Sequence, residues 1–599
     1  MPKVTIKTDK ESYELPAENG QNLLELLRMS NIEVNSTCNG NGTCGKCKVK
    51  ISSGMLPAAS QNEIKILGTK AVEEGYRFSC GCRVEADMEI ILRDTGSQAQ
   101  IVVEGRQRQI TLSPIVKKEV RTLEKPALSD QTADFERVLG DLAADGSNLE
   151  LIRVLPGLIR QNNYMITLIK SGNRLLGVET GNTAKALYGV AVDIGTTTVA
   201  AYLLELNSGR RVAVRSFLNP QKTFGADVIS RIKHTNDNDK GLEELHLLIT
   251  GKLNACIKEL CREADISNRD VYAITFAGNT TMLHFLLKVP AKNIAAAPFI
   301  PAITSMLKIN AKELNFEINP FGIACILPSV SAYIGSDTVG AVLSTGMYRQ
   351  AEMSLMIDIG TNGEIVLGNR DRLYACSSAA GPAFEGANIR NGMGSVSGAI
   401  NSITLEAGVK YTTIGNARPV GICGTGIVDG VAQLLKAGII DETGRLDTGW
   451  EPDSEQLAGL AENITTIEGM NIFVLEEDIA ISQKDIRELQ NAKAAIAAGI
   501  HILVKQAGIS FSDIENVYLA GGFGTYINTD SAIQIGLIPA ELKGKIQSVG
   551  NAAGQGAIEA LLSTESLSDA GVISKKVKYI ELSASKEFND CYVDCMMFE

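Results

Sequence analysis

Five of the twelve cysteines lie between residues 38 and 82. The segment Cys38-Asn39-Gly40-Asn41-Gly42-Thr43-Cys44-Gly45-Lys46-Cys47 spaces three thiols as C-x5-C-x2-C, and Arg77-Phe78-Ser79-Cys80-Gly81-Cys82 brings two more. Four thiolates hold a [2Fe-2S] cluster. Three from one tight loop and one from a distant segment meet that need, because the glycines let the backbone wrap the irons and turn N–H groups toward sulfur. The competing reading is structural zinc, which usually takes two C-x2-C pairs or a Cys/His mixture. This stretch has one such pair, and the first histidine of the chain is His234. The pattern therefore predicts a [2Fe-2S] site, with Cys80 or Cys82 as the fourth ligand. Lys46, Lys48 and Lys50 alternate just beyond the loop. They read as a solvated strand face, or else as a docking surface for an acidic electron donor.

A second chemistry is written twice. Val192-Asp193-Ile194-Gly195-Thr196-Thr197-Thr198-Val199 reappears as Ile357-Asp358-Ile359-Gly360-Thr361-Asn362-Gly363-Glu364. In each copy a glycine permits a tight turn whose N–H groups can face phosphate oxygens, the hydroxyls add donors, and the Asp can hold Mg²⁺ or the attacking water. One Asp-Ile-Gly is a common turn, whereas two copies in equivalent strand contexts predict a nucleotide clamped from both sides. Gly521-Gly522-Phe523-Gly524-Thr525 follows an apolar strand and suits close passage by an adenosine. Gly421-Ile422-Cys423-Gly424-Thr425-Gly426 opens a helical run, and Gly424 could face an anion there or serve close helix packing. A fifth cluster, Ala379-Ala380-Gly381-Pro382-Ala383-Phe384-Glu385-Gly386, lies between the second loop and that helix.

The elements that must position these residues read as follows. Lys3–Lys7 and Ser12–Leu15 form a hairpin, Asn22–Met29 a short amphipathic helix, and Arg83–Leu92 a closing strand. This unit ends near residue 95. Residues 96–130, with Pro114, Pro126 and a Lys/Glu-rich run, form a linker with some strand content. Residues 131–185 are a small middle unit with helices at Asp134–Leu142 and Leu149–Arg160 and paired strands around Ser171-Gly172-Asn173. From residue 186 apolar strands alternate with helices, an α/β signature. The internal repeat divides this part into halves at 186–350 and 351–599 that face one another across a cleft. The 599 residues carry a net charge of −12, which argues against a nucleic-acid partner. No apolar run approaches the roughly 18–20 residues of a membrane span. The start lacks a signal core, so the expected compartment is the cytoplasm, where cysteines bind metals or stay reduced.

The phosphate loops and the adenosine turn resemble those of the superfamily of sugar kinases, heat-shock chaperones and actin. The resemblance rests on Asp193, Gly195, Thr196 and Thr197, on Asp358, Gly360, Thr361 and Asn362, and on Gly521, Gly522 and Gly524. The cysteine spacing is similar to that of vertebrate-type and bacterial hydroxylase-partner ferredoxins. Their fourth ligand sits in an Arg-aromatic/aliphatic-small-Cys turn, which implies the set Cys38, Cys44, Cys47 and Cys80, with Cys82 a bystander. The whole chain resembles the reductive activators of corrinoid proteins. Further matching segments are Asn219-Pro220-Gln221, Phe224-Gly225-Ala226-Asp227-Val228, Ala277-Gly278-Asn279-Thr280-Thr281-Met282, Ile334-Gly335-Ser336-Asp337 and the tail Tyr579-Ile580-Glu581-Leu582.

The resemblance implies a multidomain fold: an N-terminal β-grasp ferredoxin-like α+β domain, a small α/β middle domain, and a C-terminal α/β actin-like ATPase of duplicated RNase H-like halves. It implies a chain that uses ATP, Mg²⁺ and a [2Fe-2S] cluster to return Co(II) of a corrinoid protein to Co(I). The electron would come from a low-potential donor, and the protein would be a homodimer. In this reading Asp193 and Asp358 organise Mg²⁺ and water, and Asp337 positions the water. Asp227, Asn279 and His284 can equally be caps or satisfied core groups. Related activators carry C-terminal cysteine-rich motifs, whereas here only Cys591 and Cys595 remain, read as ordinary thiols. The rival readings are a small-molecule kinase with a regulatory cluster and an actin-like redox-sensing scaffold, neither of which needs an electron carrier.

Overall fold

The computed structural model describes residues 1–8, 12–30, 32, 34, 40, 42, 45, 47–92, 102–143, 149–406, 408–452, 454–467 and 469–598. Near the N-terminus, Lys3–Lys7 pairs antiparallel with Ser12–Pro16 and parallel with Met88–Ile91. Lys48–Gly54 and the edge strand Tyr76–Phe78 complete a five-stranded sheet. Helix Leu23–Met29 packs across it through Leu23, Leu26 and Leu27, with the Asn22 side chain accepting from the Glu25 N–H as N-cap.

The segment after the ferredoxin-like unit does not run free. Gly105 bridges Gly550, the Arg106 N–H donates to the Val549 carbonyl, and the Ser113 and Ile115 N–H groups donate to Leu562 and Leu561. The strand Lys117–Thr122, which lies inside the stretch read as linker, is the edge of a three-stranded sheet with Met165–Ser171 and Arg174–Thr180. Helices Asp134–Leu139 and Leu149–Arg160 cover one face of that sheet. The first helix stops three residues short of its expected end because Gly140 takes a positive φ of 54° as its cap.

Two six-stranded sheets follow. One runs Arg210–Leu218, Thr198–Glu205, Tyr188–Ile194, Val271–Gly278, Ile323–Ile326, Leu307–Asn310. The other runs Ile546–Gly550, Ile514–Ala520, Met353–Ile359, Gly363–Gly368, Leu373–Ser378, Val577–Tyr579. In both, a strand ending in the Asp-containing loop turns back as two antiparallel strands and has two parallel strands on its other side. The repeat read in the sequence is thus a repeat of topology. The central strand Val271–Gly278 is buried at every position, as expected of a strand covered on both faces. Helix Gly241–Glu263 lays Leu245, Ile249, Leu253, Ile257 and Leu260 against that sheet at helical spacing. Helix Gln483–Ala507 is started by a Ser482/Asp485 capping box and covers the other sheet.

The lobes join where helix Ser336–Thr345 crosses helix Ala552–Leu562. A Cβ on Gly556 would fall 2.1 Å from the Gly340 carbonyl oxygen, so only glycine lets the two backbones meet. Among the described residues no helix is long and apolar enough to cross a membrane.

Candidate functional site

Each of the two Asp-Ile-Gly-Thr loops is closed by its own backbone. The Gly195 N–H donates to the Thr198 carbonyl at 2.9 Å, and the Gly360 N–H to that of Asn362 at 2.9 Å. The first loop is also held from below. Asn219 Nδ2 donates to the Gly195 carbonyl (2.8 Å), Arg231 Nη2 to the Thr196 carbonyl (2.6 Å), and Asn279 Nδ2 to Thr196 Oγ1 (3.0 Å). Asp227 caps helix Val228–Asp237 by accepting from the Ser230 N–H. Arg231, on that helix, lies fully buried beneath the loop. Asn279 caps its own helix as well as donating to Thr196, and His284 only bridges the Thr280 carbonyl and the Ala302 N–H. These are the local roles the sequence allowed. Arg231 was not legible: its guanidinium also donates to Gly225 and reaches Met282 across 51 positions.

Asp193, Asp358 and Asp337 converge electrostatically. Burial raises each carboxyl, to about 7, about 7 and about 6. Repulsion from Asp337 adds to the first two. Glu364 is pushed well up by burial and by the same neighbours. Asn551 Nδ2 donates to Asp193 Oδ2 at 3.0 Å from the cap of helix Ala552–Leu562. Asn551 stands in the second lobe where the Gly335/Asp337 turn stands in the first, each starting one of the crossing helices. Sequence reading missed it, since no local motif marks it. The Gly521-Gly522-Phe523-Gly524 turn abuts Asp358: Gly521 has φ 77°, and a Cβ there would lie 2.7 Å from Asp358 Oδ1. Gly522 and Gly524 follow in helix Gly521–Tyr526. At Gly424 the structure shows close packing, with the Phe384 carbonyl oxygen 1.9 Å from a would-be Cβ.

At the N-terminal site the Cys47 and Cys80 sulfurs are 3.3 Å apart. Cys38 and Cys44 lie outside the described residues. Gly40, Gly42 and Gly45 all have positive φ (85°, 72° and 69°), and a Cβ on Gly40 would sit 3.8 Å from Cys80 Cβ, so Gly40 lies beside that residue. Asn22 Nδ2 donates to the Cys80 carbonyl, and Glu63 Oε1 accepts from the Phe78 N–H, fixing the turn from two sides. The hydrogen bond with Cys80 holds the Cys47 thiol low. Cys82 is 1% exposed among Leu23, Val84 and Ile90, and burial pushes its thiol up to about 12. A paired, loop-facing Cys80 and a core-facing Cys82 fit a cluster held by the former. Cys80→Ser is expected to strip the cluster's visible absorption and EPR signal. Cys82→Ser should keep both, and the opposite pattern would reverse the assignment.

Two RNase H-like lobes with duplicated Asp-Ile-Gly-Thr loops define an actin-like ATPase fold, here fused to a ferredoxin-like domain. Residues 352–599 match the family described as the C-terminal ASKHA domain of RACo, 188–350 its middle region and 105–185 its linker region. Residues 6–85 match the 2Fe-2S iron-sulfur cluster binding domain. The chain is 33% identical to the corrinoid activation enzyme RamQ of Eubacterium limosum, across 95% of this chain and 94% of that protein. It is 26% identical to the Co(II) methylated amine-specific corrinoid protein reductase of Methanosarcina barkeri, over 68% and 76% of the two chains. The solved structure of a reductive activator for a corrinoid, iron-sulfur protein superposes with a TM-score of 0.73 at 35% identity, covering 100% of this chain and 98% of that one. The chain belongs to the family of corrinoid reductive activators.

Proposed function

We propose that this chain couples ATP turnover to the one-electron reduction of a Co(II) corrinoid protein to Co(I). The reduced donor loses one electron and the cobalt gains it, while ATP becomes ADP and phosphate. The observation that carries this reading is the contact that residues 104–106 make with both lobes. Residues 102–108, the first described after the ferredoxin-like unit, run beside Asn551, the donor to Asp193. The Glu104 carbonyl accepts from the Asn551 N–H at 2.8 Å, and its carboxylate pairs with Arg211 of the first lobe at 2.6 Å. Arg106 donates to Gln547 and stacks on Tyr518 of the second lobe. A change in lobe closure is therefore expected to shift residues 104–106, which touch both lobes.

Cys47 and Cys80, with Cys38 and Cys44, are the ligands we assign to a [2Fe-2S] cluster, which when bound supplies one-electron transfer. Asp193 and Asp358 are assigned to Mg²⁺. Among the described residues no three His, Cys, Asp or Glu side chains close on a metal. The remaining ligands would be phosphate oxygens and water, the usual arrangement for Mg²⁺ at a nucleotide. Crowded carboxyls held above their ordinary range suit a site completed by a cation. Thr196, Thr197, Thr361 and Asn362 hold phosphates, Gly521–Gly524 the adenosine, and Asp337 the attacking water. Lys48 and Lys50, on the strand Lys48–Gly54 that follows Cys47, lie 5.0 and 5.4 Å from the Tyr76 ring of the paired strand Tyr76–Phe78, and we assign this face to an acidic, low-potential donor. We further take the protein to act as a cytoplasmic homodimer, on the family resemblance.

The test is anaerobic reduction of a Co(II) corrinoid protein by the cluster-loaded chain and a low-potential donor. Co(I) absorption is expected only with Mg·ATP, and ATP turnover should rise when the Co(II) partner is added. Equally fast Co(I) formation without nucleotide would refute the coupling. A phosphorylated small molecule would favour a kinase instead.

A further inference from the structure

The two phosphate loops are joined by a carboxylate that neither of them contains. Thr361 Oγ1, in the second loop, donates to Glu385 Oε1 at 2.8 Å, and Thr197 Oγ1, in the first, donates to the same oxygen at 3.4 Å. One acceptor thus satisfies hydroxyls from both lobes. Glu385 ends the short turn Pro382–Glu385, which is fixed by independent contacts. The Phe384 carbonyl oxygen seats against Gly424, and the Phe384 ring lies 4.7 Å from that of Phe523 in the adenosine turn. Arg231, under the first loop, is the cation whose field the carboxylate feels, while burial still holds its carboxyl above the ordinary range.

A carboxylate oxygen accepting from two hydroxyls presents the same acceptor chemistry as a phosphate oxygen. Two anions cannot share those donors without a large electrostatic cost in a buried cleft. We propose that Glu385 is an internal anion occupying the phosphate position between the two loops, which ATP must displace, so that this residue sets nucleotide affinity. The carboxylate and a nucleotide phosphate are alternative acceptors for the same two hydroxyls. The proposal rests on the reading of Thr197 and Thr361 as phosphate-holding residues. Glu385 acts through those hydroxyls and is a positioning residue, not a catalytic one.

The experiment measures Mg·ATP and a non-hydrolysable ATP analogue by calorimetry on the full, cluster-loaded chain, with steady-state ATP turnover alongside. Glu385→Ala removes the competing anion, and Glu385→Gln removes its charge while keeping an acceptor for the hydroxyls. Both are expected to lower the Kd for the analogue about tenfold or more and to lower KM with kcat changed less than about threefold. Thr361→Ala is the control and should weaken nucleotide binding. If Thr361→Ala leaves binding unchanged, the phosphate-clamp reading itself falls. If Thr361→Ala weakens binding but both Glu385 variants bind ATP as the wild type does, or more weakly, the displaced-anion proposal is overturned. A collapse of kcat at unchanged Kd would overturn it too, by making Glu385 a base. A lowered thermal midpoint in Glu385→Ala does not disturb the reading, because Glu385→Gln preserves the turn's size and acceptor.

Discussion

Asp358→Asn is expected to make the nucleotide-free protein more heat-stable at pH 8 while lowering ATP turnover by about 10²-fold or more, the scale of removing one preorganised electrostatic group. The two effects have one cause. Burial and the Asp337 charge raise the Asp358 carboxyl from an ordinary 3.8 to about 7. A carboxyl raised in the folded state gives stability that is complete below its unfolded value and is lost as pH rises through the folded one. At pH 8 the wild type therefore bears the whole cost of a buried charge, at most about 4 kcal/mol at roughly 1.4 kcal/mol per pH unit. The amide bears none of it. At pH 5 most of the wild-type carboxyl is protonated and the two proteins should melt within a few degrees of each other. Melting curves at pH 5, 6, 7 and 8 read the convergence directly. Asp193→Asn should behave alike, since its carboxyl is also raised to about 7 and Asn551 can keep its hydrogen bond to the remaining side-chain oxygen. A variant that lost stability at pH 8 along with activity would mean that the carboxylate braces the fold instead of waiting for a cation. Cluster absorption should stay at the wild-type level in both, which separates failure at the nucleotide site from general misfolding.

What the sequence made legible was whatever is local and repeated. The cysteine spacing, the duplicated Asp-x-Gly-Thr loops and the glycine turn after Ile514–Ala520 each carry their chemistry within about ten residues. Short-range sterics and backbone donors suffice to read them. Residues that work through long-range contact stayed silent. Asn551 reaches Asp193 across 358 positions, and Glu385 reaches Thr197 across 188. Glu385 had one faint signal, a glutamate set in a Gly-Pro-Ala-Phe-Glu-Gly turn between two functional elements. The strand Lys117–Thr122 is legible only as some strand content within 96–130, because its charges hide its bounds. Lys-Lys-Glu-Val-Arg-Thr has no apolar alternation because the strand is a sheet edge, where charge protects against further pairing. Its Lys118 is nevertheless buried, donating to the Thr183 and Ala186 carbonyls and pairing with Glu179 at 2.8 Å, so that a charged residue ties the middle sheet to the first lobe. A hydropathy pattern reads such a lysine as solvated, since the carboxylate that justifies it lies 61 residues away.

Gly556→Ala is expected to lower the melting temperature of the ATPase domain by about 5 °C or more and to abolish ATP turnover, although Gly556 lies within a helix and not in the nucleotide cleft. Alanine normally favours a helix over glycine by about 1 kcal/mol. Here the added carbon would lie 2.1 Å from the Gly340 carbonyl oxygen and 2.4 Å from its Cα and carbonyl carbon, all of them backbone. No rotamer relieves a backbone overlap, so the helices must separate, at a cost of roughly 3 kcal/mol or more, the upper end for overpacking. At 2–4 °C per kcal/mol for a domain of this size, the loss should be plain in a melting curve. The functional effect follows from what the two helices begin with. Helix Ser336–Thr345 starts at the Gly335-Ser336-Asp337 turn, and helix Ala552–Leu562 starts at Asn551, the donor to Asp193. Ser344 Oγ donates to the Ala552 carbonyl at 2.9 Å, pinning the crossing, and Thr275 Oγ1 of strand Val271–Gly278 donates to the Ala557 carbonyl at 3.0 Å, tying the same helix to the first-lobe sheet. Moving the helices apart therefore disturbs the placement of Asp337 and Asn551 about Asp193 and shifts the surface on which residues 105–115 lie. Gly251→Ala is the matched control. It lies in the exposed face of helix Gly241–Glu263 with nothing within 4 Å of its added carbon, and should leave turnover unchanged while raising stability by about 1 kcal/mol. If Gly556→Ala matched that control in both measurements, the crossing would be looser than its contacts imply. Lobe closure would then have to act through the cleft alone, without the paired helices that carry Asp337 and Asn551.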